Sequence, residues 1–335
     1  MPDNPITSEV DLDASGKQTG FLRLPHSTHQ SAYGWIPIPV VSIRNGDGPV
    51  VLMLAGVHGD EYEGQIALSS LARDLALDDI TGQLIILPMT NAPAARAATR
   101  TSPIDGGNLN RTFPGDPHGT PTQVIAHFLE TVLIPRAHVM VDLHSGGSSL
   151  FYPPTLLRGK GHTPEETAQL LSLQTAFDLP YAWVFTSGGG RASTARTAMG
   201  AANRNGVISV MAELGGAGAV SQDILSRTER GLKRILHGLG MLPGYSPDAA
   251  HGTRELHAQG SVYARDAGIF EPFKDIGEPV DVGESMGAIH DPLKPCRMPT
   301  PVPSPYSGIV LAKRPPARVE IGDAVYQIAR DARDV

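Results

Sequence analysis

The stretch VVLMLAGVHGDEYEG, residues 50–64, indicates the fold class. Its first six residues, Val50–Ala55, are apolar without interruption, which is typical of a strand buried on both faces of a parallel sheet. A turn rich in glycine follows, and apolar residues then recur at helical spacing over Glu61–Ala76. A buried strand that leads through a short turn into a helix predicts an α/β fold.

Short strands are predicted before this stretch, and apolar runs alternate with helical patterns from it as far as Leu239. The strands that we predict besides Val50–Ala55 are Ser8–Asp13, Gly20–Pro25, Trp35–Ile43, Leu84–Leu87, Val139–Leu143 and Val207–Glu213. The helices that we predict besides Glu61–Ala76 are Thr120–Ile134, Pro164–Phe177 and Gln222–Leu239. This order predicts a mostly parallel mixed sheet with helices on both faces.

The alternation ends at Met241–Gly252, a stretch rich in proline and glycine that predicts a linker. We therefore expect a catalytic domain over residues 1–245 and a small all-β domain over residues 246–335. Glycine pairs at a similar spacing, Gly268 with Gly283 and Gly308 with Gly322, indicate an internal repeat in this tail, although the spacing alone could be accidental. The repeat resembles the paired halves of a biotinyl/lipoyl-type β-sandwich.

Carrier domains of that type present a lysine between methionines at a hairpin. The matching stretch here, Leu293–Met298, reads LKPCRM and does not give Lys294 that setting. The tail is therefore expected to be a structural module or a lid and not a swinging arm.

Composition excludes several classes of protein. The chain has 335 residues, of which 41% are hydrophobic and 18% charged, and its net charge is −7. It contains no basic run, so we expect no nucleic-acid partner. No stretch reaches about 18 apolar residues and the first residues are not a signal peptide, so we expect no membrane span and a cytoplasmic location. A single cysteine, Cys296, rules out an internal disulfide.

Three residues form a candidate metal site. His58 and Glu61 follow the strand Val50–Ala55, and His144 ends the strand-like run that begins at Val139. Because ligands bind at the carboxyl ends of parallel strands, these side chains are expected to meet. Two histidines and one carboxylate leave a position for water, as in catalytic zinc sites, although cobalt, manganese or iron would also fit. Asp142 could accept a hydrogen bond from an imidazole.

Further candidates would supply the rest of a hydrolytic mechanism. Glu213 ends the run Val207–Leu214 and could shuttle a proton between water and a leaving nitrogen. In the loop before the helix at Thr120, Asn110 and Arg111 could hold a carboxylate, and Arg100 could stabilise an oxyanion. Each of these residues taken alone would more often be a structural or a solvated surface group.

These segments together resemble the succinylglutamate desuccinylase/aspartoacylase family, which is related to zinc carboxypeptidases. The matching motifs are His58-Gly-Asp-Glu61, Asn110-Arg-Thr-Phe113, Asp142-Leu-His144 and the later Glu213. The resemblance implies one zinc ion on His58, Glu61 and His144, the substrate carboxylate on Asn110 and Arg111, carbonyl polarisation by Arg100, and Glu213 as general base. It also implies a C-terminal β-domain that narrows the entrance.

Several stretches are most similar to the family's deacetylases of ectoine degradation: Gly20–His26, Arg100–Asn108 and Glu213–Gly216. This implies hydrolysis of N-α-acetyl-L-2,4-diaminobutyrate to L-2,4-diaminobutyrate and acetate. The alternatives are a deacylase of another N-acyl amino acid such as N-acetylaspartate or succinylglutamate, a carboxypeptidase, or a non-catalytic metal-binding relative. A serine hydrolase is not expected, because the chain lacks a G-x-S-x-G elbow. A homodimer is only the commonest symmetric assembly.

Overall fold

The computed structural model describes residues 4–184 and 195–334, and these residues form a mixed α/β fold. Its strands are β1 Thr7–Ser8, β2 Gly16–Pro25, β3 Trp35–Asn45, β4 Val50–Ala55, β5 Gly82–Leu87, β6 Val139–His144, β7 Phe151–Arg158, β8 Tyr181–Val184, β9 Ile208–Gly216, β10 Arg254–Tyr263, β11 Gly268–Pro272, β12 Pro279–Val280, β13 Ser285–His290, β14 Thr300–Pro303, β15 Gly308–Lys313, β16 Arg318–Val319 and β17 Ala324–Asp331. Its helices are α1 Tyr62–Asp74, α2 Ala92–Ala97, α3 Pro121–Phe128, α4 Pro164–Phe177, α5 Ala198–Arg204 and α6 Gln222–Gly238.

The large sheet has the strand order β1-β2-β3-β5-β4-β6-β9-β7-β8-β10-β17-β15-β12. Pairing is parallel across β5-β4-β6-β9 and across β7-β8-β10, and it is antiparallel in the other pairs. The sheet is therefore mixed, and the expectation of a mostly parallel sheet holds only within the two runs β5-β4-β6-β9 and β7-β8-β10. These runs are antiparallel to each other at the pair of β9 with β7, and the other antiparallel pairs come from the N-terminal strands and the C-terminal tail.

Both faces of the central sheet are covered by helices, as predicted. Val51 and Met53 of β4 pack into a core with α1, α4 and α6, whereas Leu52 and Leu54 face a second core with α3 and α5. Successive side chains of a strand point to opposite faces, so a strand covered on both sides must be apolar throughout. This explains why the run Val50–Ala55 contains no polar residue.

Two predicted elements are shorter than expected. The strand at Ser8–Asp13 is reduced to Thr7–Ser8, because the Ser8 hydroxyl bonds to both the N–H and the C=O of Val10 and turns the chain. The helix predicted to end at Ile134 leaves regular α geometry after Phe128 and continues as a π turn over Leu129–Leu133. Pro135 has no N–H for the carbonyl four residues earlier, so the regular bonding pattern cannot continue.

The C-terminal tail joins the large sheet directly. β10 pairs in parallel with β8, where Arg254 lies opposite Tyr181, and it pairs antiparallel with β17. A second sheet, with the order β14-β13-β11-β16, packs on these strands around a core that includes Phe270, Val310 and Tyr326. The described part of the tail consists mainly of strands, and its first strand continues the sheet that carries the catalytic candidates.

The internal repeat is visible in the pairing of the tail. β11 pairs with β13 as β15 pairs with β17, and β16 lies against β11 as β12 lies against β15. A Cβ on Gly268 would overlap the carbonyl of His290, and one on Gly308 would overlap the carbonyl of Ala329. The two halves therefore need glycine at the same place for the same reason, a close approach of backbone to backbone.

Among residues 4–184 and 195–334, the structure contains no helix that is both long enough and apolar enough to cross a membrane.

The turn between β4 and α1 packs tightly on helix α2 and the residues that follow it. A Cβ on Gly59 would overlap the backbone carbonyl of Ala94, and the Gly59 N–H donates to the carbonyl of Thr99 at 2.9 Å. The backbone of Ala94 cannot move out of the way as the end of a flexible side chain can. Gly59 therefore fixes how closely the turn, and the residues on either side of it, approach the rest of the molecule.

We predict that Gly59→Ala destabilises the fold by about 1–3 kcal/mol, the range typical of overpacking. The matched control is Gly244→Ala, because a Cβ at Gly244 meets nothing within 4 Å. Chemical denaturation of both variants measures the difference. Equal stability of the two variants would show that the turn can move away from Ala94 at no cost.

Candidate metal and catalytic site

Neighbouring parallel strands bring the three candidate ligands together. In the pairing of β4 with β6, Ala55 lies opposite Leu143, so the turn after β4 meets the end of β6. His58, Glu61 and His144 are each 3% exposed, and one ligand atom from each lies within 4.8 Å of the others. The predicted set is therefore assembled as a compact, buried cluster.

The Glu61 carboxylate lies between the two imidazoles. Its Oε1 is 2.8 Å from His58 Nδ1, and its Oε2 is 2.8 Å from His144 Nδ1. The two Nδ1 atoms are 3.3 Å apart. Ser145 donates its backbone N–H to Glu61 Oε2 at 3.1 Å, which holds the carboxylate in place.

The outer nitrogen of each imidazole has an acceptor of its own. His58 Nε2 is 3.1 Å from Asn108 Oδ1, and His144 Nε2 is 2.9 Å from Asp142 Oδ2, as predicted for Asp142. We assign the ring protons to Nε2 on this basis, because an amide oxygen and a carboxylate can only accept. The Nδ1 lone pairs of His58 and His144 then face each other and the Glu61 carboxylate. These groups repel one another unless a positive charge lies between them, so the arrangement suits a bound cation.

The pKa shifts of the site residues indicate the same preference for a positive charge. Burial opposes the charge on Glu61, but the nearby His58 and His144 lower the pKa of its carboxyl below the usual range. Burial likewise opposes the charge on His144, yet Asp142 and Glu61 raise the pKa of its imidazole well above its usual value. The site thus holds a carboxylate firmly and attracts positive charge, from a proton or from a metal ion competing for the same lone pairs.

Glu213 lies beside the candidate ligands. In the parallel pairing of β6 with β9 it is opposite His144, and it lines the same cavity. Its Oε2 is buried and has no hydrogen-bond partner among the described residues. Burial and then the negative charge of Glu61 raise the pKa of the Glu213 carboxyl. A carboxyl group with an unpartnered oxygen and a raised pKa is suited to gaining and losing a proton.

The polar residues of the loop before α3 also reach this cavity. Arg100 Nη1 is 3.3 Å from Glu61 Oε1, and the Arg100 side chain is 45% exposed. Arg111 lines the cavity and donates from Nη1 to the backbone carbonyl of Asn110 at 2.7 Å. Asn110 is buried, with its Oδ1 accepting from Ala198 N–H and its Nδ2 3.4 Å from His144 Nε2. All the candidate residues thus border one space.

That space is a cavity of about 1080 Å³. The polar lining residues that sequence reasoning missed include Tyr152, Gln259 and Gln327. It also missed Asn108, the acceptor beside His58 Nε2. Asn108 lies in a segment already quoted for its motif, and its position two residues before Asn110 was an available signal. The other three come from β7, β10 and β17, where nothing in the local sequence distinguishes them from ordinary strand residues.

Two further carboxylates of the motif at residues 58–63 hold the loops behind the site. Asp60 Oδ2 accepts from the backbone N–H of Ser148 at 2.8 Å and from its hydroxyl at 2.9 Å. Glu63 Oε1 accepts from the backbone N–H of Ser221 at 3.2 Å. Both acids are buried, so each fixes the loop that follows a site strand, after β6 and after β9.

Comparison with known proteins gives the family. The model of the succinylglutamate desuccinylase/aspartoacylase catalytic domain matches residues 47–239. The chain is 38% identical over 329 residues to the N-alpha-acetyl-L-2,4-diaminobutyric acid deacetylase of Halomonas elongata, covering 97% of this chain and 95% of the relative. The chain belongs to the succinylglutamate desuccinylase/aspartoacylase family.

Solved structures agree over nearly the whole chain. A succinylglutamate desuccinylase/aspartoacylase from Rhodobacter sphaeroides is 37% identical, with a TM-score of 0.90 and coverage of 98% of this chain and 100% of that one. The product-bound ectoine utilization protein EutE of Ruegeria pomeroyi is 35% identical, with a TM-score of 0.92 and coverage of 98% and 99%. The family resemblance found in the sequence is thereby confirmed, together with hydrolysis of N-acyl amino acids as the family's chemistry.

We predict that His144→Ala loses divalent metal, with an affinity more than about 100-fold weaker, since loss of an outer hydrogen-bond partner alone typically costs 10–100-fold. The exposed His118 provides the matched control, His118→Ala. Elemental analysis after dialysis against a weak chelator measures bound metal in both. Full occupancy in His144→Ala would remove this residue from the ligand set.

Proposed function

We propose that this protein is a zinc-dependent deacetylase that hydrolyses N-α-acetyl-L-2,4-diaminobutyrate to L-2,4-diaminobutyrate and acetate, as a step of ectoine degradation in the cytoplasm. The observation that carries the chemistry is the pair of Nδ1 lone pairs facing the Glu61 carboxylate beside Glu213. The substrate is supported by the deacetylase relative, which spans almost the whole chain at 38% identity.

His58, Glu61 and His144 would hold the zinc ion. Two histidines and one carboxylate are a frequent catalytic set for this metal, and Asn108 and Asp142 keep both rings in the tautomer that ligation needs. A zinc ion in such a site supplies Lewis acidity, which lowers the pKa of water to about 7 and polarises the amide carbonyl.

Glu213 would move the proton. It accepts a proton from the attacking water as the oxygen–carbon bond forms, and it donates that proton to the amide nitrogen as the carbon–nitrogen bond breaks. The products are a carboxylic acid, which ionises to acetate, and a free amine. The raised pKa suits a group that must hold a proton between the two steps, and a nearby divalent cation lowers that pKa towards the charged form needed first.

Arginines would bind the negative charges of substrate and transition state. Arg100, held next to Glu61, faces the centre where the carbonyl oxygen becomes an oxyanion, and one such donor is typically worth about 3 kcal/mol. Arg111 and the amide of Asn110 would bind the substrate α-carboxylate, the arginine through its planar fork. In the described residues Arg111 has no carboxylate within 4.0 Å, so its charge is available to a ligand.

The tail would act as a second, smaller domain. We place the catalytic domain at residues 1–245 and the β-domain at residues 246–335, with β10 and β17 forming part of the cavity wall. A wall of this kind favours a small substrate over a peptide, because the substrate is enclosed by both parts of the chain.

We predict that the zinc-loaded protein releases acetate from N-α-acetyl-L-2,4-diaminobutyrate faster than from N-acetyl-L-aspartate, and faster than it releases succinate from N-succinyl-L-glutamate. Treatment with a chelator should abolish turnover, and added zinc should restore it, because the metal activates the water. A coupled acetate or succinate assay gives kcat/KM for each compound. Preference for another compound would discard the substrate, and turnover that resists chelation would discard the zinc mechanism.

We also predict that Glu213→Gln keeps its metal and loses about 10²- to 10⁴-fold in kcat, the usual contribution of a general acid–base group. The matched control is Glu165→Gln, an exposed carboxylate in the first turn of α4. Metal analysis and steady-state kinetics are run on both variants. Turnover near the wild-type value in Glu213→Gln would exclude this residue as the proton shuttle.

A further inference from the structure

The cavity wall supplied by the tail has a distinct chemistry. From β10 it receives residues 257–260 and from β17 it receives Gln327. These positions carry an imidazole and two carboxamides, but no guanidinium or ammonium. Arg100 and Arg111 line the same cavity but come from the loop before α3 and not from the tail. The part of the wall that the tail supplies therefore carries no permanent positive charge.

Gln327 is joined to Tyr152, in the catalytic part of the chain, by a partly buried hydrogen bond. Tyr152 of β7 is 5% exposed, and its hydroxyl donates to Gln327 Oε1 at 2.7 Å. Tyr152 lies opposite Gly215 in β9, two residues beyond Glu213, so its hydroxyl is near the reacting groups. Burial and then the charge of Glu213 keep the pKa of the Tyr152 hydroxyl well above its usual value, so it remains protonated.

The direction of this bond decides what the hydroxyl offers to a ligand. A phenol has a single proton, and here that proton is given to Gln327. Towards the cavity the oxygen then presents lone pairs only, so it can accept a hydrogen bond but cannot donate one. The hydroxyl therefore offers no donor to an oxyanion or a carboxylate, whereas it offers an acceptor to an ammonium group.

Gln259 adds acceptors to the same wall. The pairing of β10 with β17 shifts by one residue between Ala258 and Gly260, so Gln259 is an extra residue that has no partner in β17. Such a bulge turns a side chain and backbone groups out of the ladder. An ammonium group has three donors to satisfy and no acceptor of its own, which suits a wall of carbonyl and hydroxyl oxygens.

We propose that Tyr152, oriented by Gln327 and accompanied by Gln259, forms the subsite that selects a cationic substrate side chain. This inference rests on the proposed function, since it assigns the ammonium group of 2,4-diaminobutyrate to this wall and the α-carboxylate to Arg111. Gln327 is a positioning residue: it acts through the hydroxyl of Tyr152. The subsite would reject an aspartate or glutamate side chain, because a carboxylate there would face oxygen lone pairs.

The test compares substrates that differ only at the end of the side chain. N-α-acetyl-L-norvaline replaces the ammonium group of N-α-acetyl-L-2,4-diaminobutyrate by a methyl group of similar size. The quantity measured is the ratio of kcat/KM for the two compounds. We expect Tyr152→Phe and Gln327→Leu each to lower this ratio about 10- to 100-fold, the factor typical of losing a hydrogen bond to a charged group.

Two further variants distinguish an orienting role of Gln327 from a purely structural one. Gln327→Glu keeps an acceptor for the Tyr152 proton and should retain the ratio or raise it, whereas the exposed control Gln169→Leu should leave it at the wild-type value. A purely structural role for Gln327 would lower kcat/KM for both substrates equally and leave the ratio intact, and this result would overturn the subsite. If the wild type hydrolysed neither compound, the proposed function would fail, and the subsite with it.

Discussion

The Glu61 carboxylate, held between His58 Nδ1 and His144 Nδ1, is the interaction on which the site depends. It joins the turn after β4 to the end of β6, and it is almost completely buried. Asp142 and Glu213 place two more carboxyl groups nearby, while Arg100 stays partly in solvent. Buried negative charge of this density is costly unless a cation compensates for it, so a bound metal ion would stabilise the cluster as well as supply the proposed chemistry.

The order of the central strands brings the candidate site residues together. Because β4, β6 and β9 are parallel neighbours, the candidate metal ligands and Glu213 all emerge at one edge. The acids on either side of Glu61 in the motif point elsewhere: Asp60 holds the loop after β6, and Glu63 holds the loop after β9. One short segment thus supplies ligands and also fixes the loops that carry its neighbours, which limits how far the site can change without loss of the fold.

Much of this arrangement could be predicted from the sequence, because it is encoded locally. Val50–Ala55 is apolar at every position since both of its faces are covered, and His58, Glu61 and His144 each follow or end such a run. The positions of these three residues relative to the strand ends therefore predict that their side chains meet. The predicted end of α3 lies too far along the chain, because apolar periodicity continues to Ile134 whereas Pro135 disrupts the bonding of the turn before it.

The other side of the cavity could not be predicted in the same way. The pairing of β8 with β10 joins Tyr181 to Arg254 across 73 residues, and neither strand has a pattern that selects the other. The bulge at Gln259 has no sequence signature, and Gln327 is one of several polar residues in an alternating strand. Such contacts depend on register, which is set by the packing of the whole tail.

The candidate metal site and the cavity wall of the tail are positioned by different kinds of strand. The candidate metal ligands and Glu213 lie at parallel strand ends, whose geometry is fixed by two packed cores. The proposed side-chain subsite combines Tyr152 of β7 with Gln259 and Gln327 on antiparallel strands of the tail, where a single substitution alters the wall without moving Glu61 or Glu213. The proposed chemistry and the proposed choice of substrate thus depend on different parts of the chain, and the hydrogen bond from Tyr152 to Gln327 joins them.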